Sequence, residues 1–393
     1  MIKATGDGFF YGFNRRVCML GGHGGNIYEM ARRLGCAQSE VIDMSSNINP
    51  LGPPPGLLNY LGKNIDTITN LPEVDSKEIT KIFAERFDLN PECILAGNGT
   101  TQFIYLTPRV LETKKALVLG PTYADYADAC RLHNVRLASV IAEESDNFRP
   151  NISRLIKSID SEDTVFICNP NNPTGSLIPK GELEWLCRSH PDTNFIVDES
   201  YLSFVNLGEK ESMINSGLAN VIVLISISKI FKIPGLRIGF VISGTETIKK
   251  FRRNLLPWSV NSLAQAAGRY LAAQWPEVSM FIKKTNIFFE CQRKEFYEKF
   301  EHVPEIRLFP STTPFVVIKL PDFISAGSVC SQLAQDRILV RDCTNFQGLS
   351  NQFIRISLKT RQENQMLAEK LISLLKGSKT RPQRADKRQS VGG

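Results

Sequence analysis

The sequence predicts an α/β fold in two parts: a large domain on a doubly wound, mainly parallel sheet, then a smaller α/β domain. Three observations carry this expectation. Six short Val/Ile/Leu-rich runs, at residues 116–119, 136–140, 164–168, 194–197, 221–225 and 239–242, are nearly free of polar interruption, as strands buried on both faces require. Helical patterns separate several of them, and such alternation places loops for chemistry at the carboxyl ends of the strands. The chain's 393 residues also exceed what one small core organises,.

In chain order, residues 27–34 read as a short amphipathic helix, because Ile27, Ala31 and Leu34 fall three or four apart,. Residues 41–44 read as a strand leading into the turn-rich SSNINPLGPPPG. Ile79, Ile82, Phe83 and Phe87 form the apolar stripe of a helix over 80–87, and another helix covers 101–110. Between the sheet strands, helices are expected over 126–133, 152–159 and 181–188. A long helical region, 245–299, is expected to break near Pro257 and Pro276, where the missing amide hydrogen interrupts the ladder,. The smaller domain reads as strands 307–309 and 315–319, a helix over 328–335, a strand at 353–357 and a closing helix over 361–375. The chain thus divides into an arm (1–45), the large domain (46–245), the small domain (246–376) and a basic tail (377–393) expected to be disordered,.

Composition excludes several classes. Much of the net charge of +7 comes from residues 376–388. For the folded body an anionic small substrate accounts for positive charge as well as a polyanion does. No zinc-finger spacing or aromatic-basic ribonucleoprotein motif favours nucleic acid,. No apolar run is long enough to span a membrane, and MIKATGDGFFYGFNRR lacks a leader's apolar core, so a cytoplasmic location is expected,. The nine cysteines are scattered, with Cys130, Cys168 and Cys187 in core elements, and read as reduced thiols,. Four distant histidines and no CxxC predict no metal site,.

Four loop motifs bear chemistry. In SISKIFKIPGLRIGF, residues 226–240, Lys229 lies between an apolar strand and a Gly/Pro turn. A lone lysine there is usually solvated, but one that points into a cleft loses solvation, and the lowered pKa makes it a nucleophile for a carbonyl. Ser226, Ser228 and Arg237 beside it suit a phosphate,. In GNGTTQ, residues 97–102, the glycines permit close backbone approach, and Thr100 and Thr101 open a helix whose terminus favours an anion,. IVDES, residues 196–200, ends a very hydrophobic strand on Asp198, which can cap a helix or pair with a protonated ring nitrogen. NPNNPTG, residues 169–175, is a rigid turn that offers Asn172 as a donor.

In this order the four motifs resemble the aspartate-aminotransferase-like (fold type I) enzymes that use pyridoxal 5'-phosphate (PLP), over roughly residues 40–375. That resemblance implies a seven-stranded, mainly parallel sheet in the large domain. It makes Lys229 the residue that holds PLP covalently, and Asp198 the group that keeps the pyridine nitrogen protonated. Asn172 and Tyr201 hydrogen-bond the phenolic oxygen, and Tyr123 of PTYADY stacks on the ring. Gly99, Thr100, Thr101, Ser226 and Arg237 receive the phosphate, and Arg355 of FIRIS meets a substrate carboxylate. A homodimer with shared active sites is also implied. One position departs: where related enzymes carry a tyrosine that reaches the neighbouring subunit's cofactor phosphate, NLPEVD has Leu71, which supplies no hydroxyl.

HGGNIYEMARRLG (23–35), DMSSNINPLGPP (43–54), LLPWSVNSLA (255–264) and RILVRDCTNFQGL (337–349) are similar to the L-threonine-O-3-phosphate decarboxylases of cobalamin biosynthesis, a group close to histidinol-phosphate aminotransferase. HGGN suits an anion-binding lid in which Asn26 is a further substrate contact: His23 can donate a charged hydrogen bond, the N–H groups of Gly24 and Gly25 can converge, and Ile27 starts a helix whose terminus favours phosphate,. Asn47 is a second candidate contact, and Arg341 and Arg355 supply charge for two anionic substrate ends, in an order that the sequence leaves open. Lys359 and Arg361 read as solvated charges at a helix entry. The resemblance implies decarboxylation of L-threonine O-3-phosphate to (R)-1-amino-2-propanol O-2-phosphate, with hand-over to cobamide-assembly enzymes. L-serine O-phosphate as substrate and histidinol-phosphate transamination stand as alternatives.

Overall fold

The computed structural model describes residues 24–159, 163–206 and 208–379. His23 lies outside them, as do the arm before it and residues 380–393. The Val/Ile/Leu runs form strands as their composition dictates. In chain order the strands are β1 (Ile42–Asp43), β2 (Ile94–Gly97), β3 (Lys115–Gly120), β4 (Arg136–Ile141), β5 (Thr164–Cys168), β6 (Asn194–Asp198), β7 (Val221–Ser226) and β8 (Gly239–Ile242). They continue with β9 (Arg307–Leu308), β10 (Phe315–Lys319), β11 (Ile338–Leu339), β12 (Arg341–Asp342) and β13 (Phe353–Ser357).

Seven of them make the large sheet, in the order β2-β8-β7-β6-β5-β3-β4. Only β8 runs antiparallel, to both of its neighbours. The sheet is buried on both faces, and its side chains divide between two cores with period two. Val165 and Ile167 of β5 enter one core with Phe195, Val197 and Val223. Phe166 and Cys168 enter the other with Ile196, Ile222 and Leu224. This is why the runs show no polar alternation. Strand β2 is missing from the sequence-based expectation, since four residues are too few to display a period.

A second sheet, β12-β13-β10-β9, is antiparallel, and β1 pairs in parallel with β11 to tie residues 42–43 to the smaller domain. The helical region after the large sheet is three helices, Thr245–Asn254, Ser262–Ala273 and Trp275–Glu298. The breaks fall near both prolines as expected, at residues 255–261 and at Gln274, and Pro276 opens the third helix, because a first-turn residue has no intrahelical N–H bond to lose,. The closing helix, Arg361–Lys379, runs past the expected end of the small domain into the stretch expected to be disordered. Cys130, Cys168 and Cys187 are buried, as core thiols should be. No described helix is long and apolar enough to cross a membrane.

Helix α1 (Gly99–Val110) begins against the sheet, at the point where β8 starts. A Cβ on Gly239 would stand 2.7 Å from the Thr100 amide nitrogen and 3.1 Å from the Ile225 carbonyl oxygen. Backbone cannot yield there as a side-chain tip would. We expect Gly239→Ala to lose about 1–3 kcal/mol of stability through overpacking. Chemical denaturation is the check, and an unchanged midpoint would refute this close approach.

Candidate active site

The carboxyl ends of β5, β6 and β7 and the start of α1 face a cavity of about 290 Å³. Its lining includes Gly24, Asn47, Gly99, Thr100, Thr101, Tyr123, Asn172, Tyr201, Ser226, Ser228, Lys229, Arg237, Arg341 and Arg355. These residues span more than three hundred positions of sequence, and the fold brings them to one place. No Asp or Glu is among the described lining residues, while Lys229, Arg237, Arg341 and Arg355 are. The cavity therefore attracts anions.

Lys229 sits in the turn after β7, with its ammonium 4.9 Å from the centre of the Tyr201 ring. The Ser228 hydroxyl donates to the Ile238 carbonyl at 3.0 Å, closing the loop that carries the lysine. At the start of α1 the first-turn N–H groups have no intrahelical acceptor and present positive potential to the cavity. Gly99 has φ +73°, and a Cβ on it would lie 2.7 Å from Nη2 of Arg237. The positive φ favours glycine here, and any side chain would push that guanidinium tip aside,.

Asp198 ends β6, buried and outside the cavity lining. Its Oδ2 accepts from the Tyr126 hydroxyl at 2.8 Å and its Oδ1 from the Ser200 amide at 2.9 Å. Tyr126 escaped the sequence reading because it reads only as an apolar helix position. The Tyr201 hydroxyl accepts from Nδ2 of Asn47 at 3.0 Å, and the Asn47 Oδ1 is buried without a partner.

Arg341 and Arg355 are directly paired across β12 and β13, and so lie on one face. Like charges opposed on a sheet repel. Arg355 is buried: Nη1 donates to Asn172 Oδ1, Nη2 to the Ser45 carbonyl at 2.5 Å, and Nε has no partner. Burial holds its pKa below the ordinary arginine value. Arg341 donates to Asn345 Oδ1 at 2.6 Å and lies 5.1 Å from the centre of the Phe346 ring. Two opposed guanidiniums with a spare donor suit a doubly anionic ligand.

Of the expected N-terminal contacts, Gly24 lines the cavity and the Gly25 amide donates to the Ser45 hydroxyl at 2.7 Å. Asn26 is placed differently. Its side chain caps the helix Ile27–Leu34, with Oδ1 accepting from the Glu29 amide and Nδ2 donating to the Glu29 carboxylate. Lys359 is a correction. Read as solvated, it is buried at 8% exposure and donates to the Ser46 and Ile48 carbonyls at 2.8 and 3.2 Å. Burial pushes its pKa down to about 8. A lysine at a helix entry gives no sequence signal of this.

The fold and the site define a fold type I enzyme, and the class I and II aminotransferases match residues 39–371; the chain belongs to that family. Within it, the threonine-phosphate decarboxylase of Salmonella typhimurium is 28% identical over 359 residues, covering 90% of this chain and 97% of that protein. An adenosylcobalamin biosynthesis bifunctional protein of Leptospira interrogans is 30% identical over 374 residues, or 94% of this chain, which spans 43% of that protein's length. The crystal structure of L-threonine-O-3-phosphate decarboxylase from Porphyromonas gingivalis superposes with a TM-score of 0.76 at 26% identity, covering 86% of this chain and 100% of that one. Histidinol-phosphate aminotransferases match too, at 25% to 30% identity.

A histidinol-phosphate aminotransferase of Sinorhizobium meliloti that shares the fold was solved in complex with PLP, and the residues of this site fit that cofactor. The Gly99 cradle, which a Cβ would fill, lies beside Arg237 at a helix terminus. Lys229 and Asp198 lie at the ends of adjacent strands, as an amine-binding and a nitrogen-pairing group should.

Beside Asp198, the buried Glu199 accepts from Ser212 Oγ at 2.5 Å and from the Met213 amide at 2.7 Å. Burial raises its pKa from 4.5 to about 7. Between those values the folded chain keeps a proton that the unfolded chain has released. Stability therefore falls as pH rises through this window, by up to ~3 kcal/mol, and levels off above it. We expect Glu199→Gln, which cannot ionise, to lose less stability than the parent between pH 5 and pH 8. Parallel denaturation profiles of the two proteins would contradict the assignment.

Proposed function

We propose that this chain catalyses PLP-dependent decarboxylation of L-threonine O-3-phosphate, giving (R)-1-amino-2-propanol O-2-phosphate and carbon dioxide for cobamide nucleotide-loop assembly. The observation that carries this reading is the opposed Arg341–Arg355 pair in a cavity lined by four cations and no described acid. A substrate with a phosphate at one end and a carboxylate at the other relieves both the repulsion and the unpaired Nε.

When bound, the cofactor supplies the electron sink for the pair left on the α-carbon as its bond to the carboxylate breaks. The chain's residues do the rest. Lys229 would hold the cofactor and would return a proton to the α-carbon. Asp198, fixed by Tyr126 and Ser200, would hold the proton on the pyridine nitrogen,. Asn172 and Tyr201 would hydrogen-bond the phenolic oxygen, Tyr123 would cover the ring, and α1 with Ser226 and Arg237 would hold the cofactor phosphate. Arg355, Arg341 and the Gly24–Gly25 arm would fix the two substrate anions.

The enzyme acts as a cytoplasmic homodimer in this reading. Exposed apolar side chains crowd residues 58–74 and 256–258, among them Leu58, Ile68, Leu71 and Trp258. The Trp258 amide ties the two stretches together on the Val74 carbonyl at 3.0 Å. Such a surface suits a second copy of the chain. Sedimentation at twice the chain mass of 44.0 kDa is expected, and a monomer at micromolar concentration would refute it.

The substrate is tested by carbon dioxide release and amine product with phosphothreonine, phosphoserine, unphosphorylated threonine, and histidinol phosphate plus 2-oxoglutarate. Phosphothreonine should lead phosphoserine by about 10-fold or more, since one methyl is worth ~1–3 kcal/mol. Unphosphorylated threonine should lose roughly 10²–10⁴-fold, because two or more charge-assisted hydrogen bonds vanish. Lys229→Ala should release none. Keto-acid consumption with histidinol phosphate would move the reading to transamination, and efficient turnover of threonine would sink the substrate assignment.

A further inference from the structure

Three observations about one short segment converge. The Ile48 amide donates to the Ser46 carbonyl at 3.0 Å, a three-residue turn that throws Asn47 outward,. Asn47, at the tip, reaches the Tyr201 hydroxyl. Two residues on, the Asn49 amide donates to the carbonyl of Lys229 itself at 3.2 Å, and its side chain donates to the Ile230 carbonyl at 2.9 Å. The segment therefore touches two groups of the catalytic machinery at once. It is gripped from the other side by β13 and the two residues beyond that strand. Arg355 donates to the Ser45 carbonyl, the Ser357 amide to the Met44 carbonyl at 2.8 Å, and Lys359 to the carbonyls of both Ser46 and Ile48.

Two carbonyls aimed at one point repel unless a cation lies between them. Burying an ammonium is costly, and among the described residues no carboxylate forms an ion pair with Lys359. A long apolar side chain would fill the same space without that cost, so the charge at this position has a purpose that packing does not explain. We infer that Lys359 is a positioning residue of the active site, whose ammonium clasps the carbonyls on either side of Asn47 and so holds the Asn47 amide against the Tyr201 hydroxyl. Lys359 does not line the cavity. It acts through Asn47, and the inference rests on the PLP-enzyme reading given above.

A double-mutant cycle in the holoenzyme tests this, with Lys359→Met, Asn47→Ala and the two combined. The first readout needs no turnover: the pH midpoint of the bound cofactor's absorbance band, which Tyr201 influences through the phenolic oxygen. Both single variants should shift it in the same direction, and the double variant no further than the larger single. The second readout is kcat/KM with phosphothreonine, where each single should lose roughly 10-fold, and the double no more than the larger single. Independent shifts that add, losses that multiply, or a Lys359→Met enzyme indistinguishable from the parent would overturn the inference. Should Lys359→Met not fold, Lys359→Gln replaces it, with the same two outcomes. If the parent does not turn over phosphothreonine, the substrate reading fails, and the absorbance cycle still decides the role of Lys359.

Discussion

A buried guanidinium that its own strand cannot satisfy organises this molecule. Arg355 stands in the middle of β13, flanked on both neighbouring strands, and finds acceptors only by reaching into two distant parts of the chain. One is Asn172, in the loop after β5, and the other is the Ser45 carbonyl, near the N-terminus. Those two bonds join the large sheet, the small sheet and the entry segment at a single side chain. They still leave Nε empty with a second guanidinium opposite. An uncompensated buried charge is expensive, so the cavity is built as half of an ion pair whose other half arrives with the ligand.

The division of labour in the site follows from the same electrostatics. The cations line the cavity, whereas Asp198 stays behind it, its oxygens held by a phenol and a backbone amide. A carboxylate placed among the arginines would be neutralised by them and lost as a partner for a ring nitrogen. The fold alone does not choose between decarboxylation and transamination, since relatives of both kinds share it,.

Much of this was legible in the sequence. Strands buried on both faces show as unbroken apolar runs, so six of the seven large-sheet strands were placed to within a residue at each end. Lys229 and Asn172 stood out beside Gly/Pro turns that follow apolar strands, and Asp198 as a carboxylate ending a very hydrophobic strand. Strand β2 was too short to announce itself, and Tyr126 looked like core. Lys359 was misread for a deeper reason. Its burial depends on where residues 46–48 lie, more than three hundred positions earlier, and no local pattern encodes a contact of that separation. The cap that Asn26 makes was not legible either, although capping is the commoner use of asparagine at a helix start,.

The pairing of β1 with β11, and of Ser45 and Ser46 with Arg355 and Lys359, also orders events during synthesis. A ribosome releases the seven large-sheet strands by residue 242. The sheet can gather as soon as they have emerged, since domains generally fold as units while the chain lengthens. The entry segment must then wait, with its carbonyls still facing water, until residues 355–359 appear. Contacts of such long sequence separation are slow to form. The site thus stays open until residue 359 has been made, and a product truncated before β13 would lack the groups that hold the entry segment in place.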